Sequence, residues 1–189
     1  MGENKVTNQE FFETWKKVCN KNEKMLIKLS DFPTDYTNLI LKNDNCIIEQ
    51  IADKFGMETS PEYYQIDAVL CKQSDYFQCQ SEHKTWGART GYWLNQIRVA
   101  FEHENNLKSA YQEIAHLLTT NAVTKILVTY AEKEKTGNHA KDFCKLIDNL
   151  DSYEPYIMVI FGCYNKTENK YEWIGYELKK DGPNEILCD

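Results

Sequence analysis

The sequence is short of the features that announce most protein classes. No apolar run approaches the roughly 18 residues that a membrane-spanning helix needs; the longest, Tyr156 to Cys163 and Ile126 to Tyr130, have the length of strands. The first ten residues, Met1 to Glu10, are polar and lack the apolar stretch and small-residue cleavage site of a secretory signal, so a cytoplasmic protein with no membrane partner is expected. Only 4 prolines and 8 glycines occur, scattered among 189 residues, which excludes a linker, a low-complexity tract or a repeat array. Basic charge is in deficit, with 22 Lys and Arg against 29 Asp and Glu, so the surface as a whole is not a nucleic-acid patch, although a local basic groove remains compatible. GxGxxG, GxxxxGK and GxSxG are all missing, which removes dinucleotide folds, P-loops and nucleophile-elbow hydrolases.

What is present describes one folded domain. Hydrophobic residues make up 42% and aromatics 13%, and a chain of this length buries about 70% of its unfolded surface without a disulfide or metal staple. Seven cysteines, an odd number, read as free thiols of a reduced compartment. Surplus carboxylate suits a site that gathers hard divalent cations.

Periodicity divides the chain into an α, then β-β, then α-β-α-β-β order. Phe11, Phe12, Trp15, Val18 and Cys19, followed by Met25, Leu26 and Leu29, place one or two amphipathic helices first. Pro33 opens a second helical stretch through Leu41, and Asp44 or Asn45 caps a third, Cys46 to Phe55, which Gly56 ends. Tyr64 to Cys71 alternates as a half-buried strand, and Lys72 to Thr90 is polar and long enough to hide a short one. Tyr92 to Glu104 reads as a single long strand with Ile97, Val99, Phe101 and His103 on one face and Arg98, Ala100, Glu102 and Glu104 on the other. Asn105 or Asn106 caps a helix striped by Leu107, Tyr111, Ile114 and Leu118. A buried strand around Ile126 to Val128, a helix Ala140 to Leu150, and two strands, Tyr156 to Cys163 and Tyr171 to Leu178, joined by a hairpin, complete the chain. The expected class is α/β, a central mixed sheet flanked by helices with an amino-terminal helical segment.

Asp67, Glu102 and Glu104 stand out as carboxylates on the polar side of strands whose other side is apolar. Residues two apart on a strand lie about 6.6 Å apart and face one way, so Glu102 and Glu104 can reach a common ion, and Asp67 can join from an adjacent strand. Such a cluster either holds metal or raises its own pKa values by repulsion, and Mg²⁺ or Mn²⁺ suits it better than Zn²⁺. The competing reading is a solvated sheet face. His103, on the apolar side, reads as a core histidine. Cys71, Cys79 and His83 have no standard zinc spacing.

The segments Ile66-Asp67-Ala68-Val69-Leu70 and Val99-Ala100-Phe101-Glu102-His103-Glu104-Asn105, with the following helix and the strand Lys125 to Tyr130, resemble the PD-(D/E)XK nuclease superfamily. The resemblance covers about residues 45 to 130. It implies a restriction-endonuclease-like α-β-β-β-α-β core, with residues 1–42 a helical preface, 43–131 the core and 132–189 a sheet extension. It also implies Mg²⁺-dependent hydrolysis of DNA phosphodiesters, and restriction enzymes of this kind often form homodimers. Asp67 and Glu102 would ligate the metal, Glu104 would ligate it or take a proton from the attacking water, and Glu49 corresponds to a further acidic residue. Ile66 stands where the family has Pro, and Glu104 where it has Lys; Lys125 and Lys108 are possible substitutes that spacing does not select. The alternative that these departures favour is an inactive nuclease-like scaffold, working as a protein-interaction or regulatory module. Lys16, Lys17, Lys21, Lys24 and Lys28, and Lys133, Lys135, Lys141 and Lys145, are candidate phosphate contacts; Tyr76, Phe77, Trp86, Tyr92 and Trp93 are candidate base-stacking residues.

Overall fold

A computed structural model of the chain describes residues 5–81, 89–148 and 157–187. The amino-terminal stripe forms one helix, α1 (Asn8–Leu29). Thr7 and Glu10 start it with a capping box: the Thr7 hydroxyl accepts from the Glu10 amide and Glu10 Oε2 accepts from the Thr7 amide at 2.9 Å. Pro33, at a position where its missing N–H costs nothing, begins α2 (Pro33–Leu41). The third helix, α3 (Ile47–Lys54), ends at Gly56, whose φ of +61° favours glycine. Its N-cap is Cys46, contrary to the expected Asp44 or Asn45. Asn45 has φ 58°, a left-handed turn conformation, whereas an N-cap needs the extended backbone that Cys46 adopts.

Among the described residues nine strands follow. β1 (Glu58–Tyr63) and β2 (Ile66–Cys71) form a hairpin whose two turn residues, Tyr64 and Gln65, both have positive φ, as a tight two-residue turn requires. The sequence reading missed β1 because Pro61 interrupts it; β1 is an edge strand, where a proline need not donate to a ladder. The predicted long strand from Tyr92 to Glu104 is two. β3 (Tyr76–Ser81) and β4 (Arg89–Leu94) pair only with each other, while β5 (Ile97–His103) enters the main sheet. The break lies at Asn95, whose amide donates to the Asp75 carbonyl at 2.8 Å, and a buried pair, Arg98 and Asp75, ties the hairpin's base to β5.

The seven-stranded sheet has the order β1-β2-β5-β6-β7-β8-β9, with β6 (Ala122–Tyr130), β7 (Ile157–Asn165), β8 (Lys170–Lys179) and β9 (Gly182–Ile186). β5, β6 and β7 run parallel at its centre; the outer pairs are antiparallel. The crossovers α4 (Ala110–Thr119) and α5 (Thr136–Ile147) cover one face through Ile114, Leu117, Phe143 and Ile147 against Leu127 and Val159. α1 to α3 cover the other through Phe11, Trp15 and Ile51 against Phe101, Ile126 and Ile160. Both faces of the parallel strands are therefore buried, as crossover topology demands. The mixed α/β sheet expected from the sequence is present, with β9 added as an edge. Among the described residues no helix is long and apolar enough to cross a membrane, and Cys19, Cys46, Cys71, Cys144 and Cys163 are free and buried.

Candidate metal centre

The site forms where β2 and β5 part. Their ladder runs Leu70–Val99, Val69–Ala100 and Ala68–Phe101 and then stops; the next pair in that register is Asp67 and Glu102. There the two carboxylates replace the missing ladder bonds. Glu102 Oε2 accepts from the Asp67 amide at 3.1 Å, and Asp67 Oδ2 accepts from the His103 amide at 2.8 Å. Each acid thus satisfies a backbone donor that strand separation would orphan, which holds both side chains rigidly at the sheet's end.

Glu102 is 1% exposed, and its second oxygen, Oε1, has no hydrogen-bond partner. A bare buried carboxylate oxygen is costly, so what faces it matters. His116 Nδ1 lies 3.7 Å away and 3.1 Å from Glu113 Oε2. Glu113 and His116 sit three apart on α4, one turn of the same face, each directly before an anchor of the helix on the sheet, Ile114 and Leu117. Ligand atoms of Glu102, Glu113 and His116 all fall within 4.8 Å of one another, so these three can hold a metal ion.

The electrostatics follow from desolvation. Burial pushes the Glu102 carboxyl up to about 9, and the charges of Asp67 and Glu113 push the same way against the favourable Asp67 amide. Asp67 is also raised, first by burial and further by Glu113 and Glu104, with the His103 amide opposing. Without a cation Glu102 therefore retains a proton at neutral pH, held towards Glu113, and a cation that replaces it relieves the repulsion among the carboxylates.

The structure brings Asp67 and Glu102 together. Glu104 lies just past the end of β5, near enough to act on Asp67, but its Oε1 accepts from the Asn106 amide at 2.6 Å. The period-two rule that puts Glu104 beside Glu102 stops with the strand at His103. Glu49 is in the first turn of α3, lining a separate hollow with Asn45, Asp53 and Glu58. Lys125 is buried with its Nζ 3.5 Å from the Leu118 carbonyl, and Lys108 is exposed ahead of α4. His103 is buried; burial depresses its pKa to about 3, and its Nε2 pairs with the Tyr130 hydroxyl at 2.9 Å. Cys71 Sγ meets the Tyr76 hydroxyl at 3.0 Å; His83, Trp86 and the side chains of Cys79, Tyr92 and Trp93 lie outside the described residues.

Glu113 and His116 are absent from the sequence reading, which also begins α4 too early. Asn106 turns the chain by accepting from the Lys108 amide, and the helix starts after Ser109, so the stripe runs Ala110, Ile114 and Leu117. A Glu-x-x-His spacing beside that stripe is the signal that locates the pair. No protein-family model, curated protein or solved structure matches this chain.

Proposed function

We propose that the chain is a restriction-endonuclease-like phosphodiesterase that cuts DNA with a divalent cation held by Asp67, Glu102, Glu113 and His116. The observation that carries this reading is the bare buried Oε1 of Glu102, aimed at two further ligand groups on α4. The order α3-β1-β2-β5-α4-β6, with β5 and β6 parallel, supports it, because it follows the core that the sequence resemblance implies once the β3–β4 hairpin is set aside as an insertion.

A hard divalent cation supplies Lewis-acid charge against phosphate oxygens and acidifies an attacking water. Mn²⁺ suits the donor set better than Mg²⁺, since one of the donors is an imidazole. The chain's residues do the remaining work. Asp67 and Glu102 are pre-positioned by their backbone bonds, so little is lost in ordering them. Glu104, whose Oε2 is left over from the Oε1 bond to the Asn106 amide, would accept the proton of a water attacking phosphorus as the bond to the leaving oxygen breaks. The exposed lysines of α1, among them Lys17, Lys21, Lys24 and Lys28, lie across the sheet from α4 and do not flank the metal centre. The later lysines are less available to phosphate, because Lys133, Lys135 and Lys145 pair with Glu172, Glu132 and Asp142.

The test is cleavage of supercoiled plasmid in Mn²⁺ by wild type, Asp67→Asn and His116→Ala. Nicking that both substitutions abolish, in folded protein, supports the reading; wild-type protein that binds Mn²⁺ and cuts nothing favours a second one. That second reading is a nuclease-like scaffold that binds metal or a partner without cutting, and the observation on its side is Glu104, which stands where a lysine would serve and bonds back to its own loop.

A further inference from the structure

We propose that the tyrosine-lined hollow at the carboxyl ends of β5, β6 and β7 binds a nucleobase with its attached phosphate, a proposal that rests on the phosphodiesterase reading for its choice of ligand. The hollow measures about 460 Å³, within the range of about 300–1,000 Å³ typical of small-molecule sites. It lies where open α/β sheets receive ligands, outside the carboxyl ends of parallel strands. Asn105 follows β5, Tyr130 ends β6, and Tyr164 and Tyr171 bring the β7–β8 hairpin over the opening.

Two features select a flat ring that carries a charge. The walls are aromatic: Tyr164 and Tyr171 meet at 5.2 Å between centroids, and Tyr36 stands edge-on to Tyr130 at 5.5 Å. Behind the walls lies a buried cluster of tyrosine hydroxyls, with that of Tyr36 set among those of Tyr130 and Tyr171. Lys166, at the mouth, is exposed and supplies a cation to a phosphate. A base stacks on these rings while its phosphate meets Lys166, a combination that an aliphatic ligand does not offer.

The hollow also adjoins the metal centre through one residue. His103 gives its amide to Asp67, while its ring stacks on Tyr36 at 6.0 Å and bonds Tyr130. A polynucleotide crossing the end of β5 can therefore set a phosphate at Glu102 and a base among the tyrosines.

The experiment measures binding of thymidine 5′-monophosphate and of a short single-stranded oligodeoxynucleotide to the full chain in EDTA. Wild type, Tyr164→Leu, Tyr164→Phe and Lys166→Ala are compared, with circular dichroism to verify folding. Saturable wild-type binding is expected, weakened roughly tenfold or more by Tyr164→Leu, kept by Tyr164→Phe, and lowered with a shallower salt dependence by Lys166→Ala. Comparable affinity for both probes marks a free nucleotide as the occupant; binding of the oligonucleotide alone marks a base of the substrate strand. No saturable binding of either probe, or Tyr164→Leu binding as wild type does, overturns the proposal. Failure of the phosphodiesterase reading shows separately, as absent plasmid cleavage with nucleotide binding intact.

Discussion

Glu102 accepts the Asp67 amide through one carboxylate oxygen at 3.1 Å and turns the other towards His116 of α4, 3.7 Å away. One end of a single side chain thus completes the sheet while the other waits for a cation or a proton. That division ties metal binding to fold stability, and several expectations follow from it and from the packing around it.

The metal-free protein loses stability as pH rises. Glu102 is raised to about 9 when folded, against about 4.3 in an unfolded chain. The folded state therefore holds more protons than the unfolded state between those values, and the stability associated with that proton is complete below about pH 4.3 and is lost as pH climbs towards 9. Thermal melts in EDTA across pH 5 to 9 should show a falling Tm from this group, flattened by Glu102→Gln or by saturating Mn²⁺. His103 acts oppositely: its pKa is depressed to about 3, so its contribution is present above about pH 6.5 and is lost as acid forces protonation.

Replacing Gly162 by alanine is expected to destabilise the aromatic cluster. A Cβ there would stand 2.6 Å from Tyr130 Cδ1 and 2.9 Å from Trp173 Cζ3, so both rings must shift. Overpacking of this kind costs about 1–3 kcal/mol, to be read from the urea midpoint. Because Tyr130 is displaced, nucleotide binding to the hollow should weaken as well.

How much of this was legible in the sequence depended on how local the cause was. Asp67 and Glu102 could be picked out because each breaks an apolar strand pattern near its end, and the helices α1 to α3 because their stripes are long. β1 and β9 escaped because Pro61 and Pro183 sit in them, and only their edge positions make those prolines tolerable. The division between β4 and β5 was hidden because both halves carry strand-like residues and the cause of the break is a distant partner, Asp75. Glu113 and His116 look like ordinary solvent-facing helix residues until α4 is docked. The hollow draws Tyr36, Tyr130, Tyr164 and Tyr171 from remote parts of the chain, a set that no spacing rule assembles.

Arg98→Ala should be among the most damaging substitutions away from the metal centre. Arg98 Nε donates to both Asp75 oxygens at 3.0 and 2.9 Å, both residues are buried, and Asp75 also receives the Lys72 amide at 2.7 Å. Removing the guanidinium leaves a buried carboxylate with the Lys72 amide as its remaining donor, a loss of up to about 3–5 kcal/mol. Equilibrium denaturation checks the size; replacing both Arg98 and Asp75 by apolar residues should recover much of the loss.

The most direct measurement is calorimetric titration of Mn²⁺ into wild type, Glu102→Gln and His116→Ala at fixed pH, with folding verified for each. Binding near one ion per chain, lost in Glu102→Gln and weakened at least about tenfold in His116→Ala with release of protons in wild type, is the predicted result. Wild-type protein that takes up no Mn²⁺, or binds it equally well in both variants, contradicts a metal centre built on Glu102.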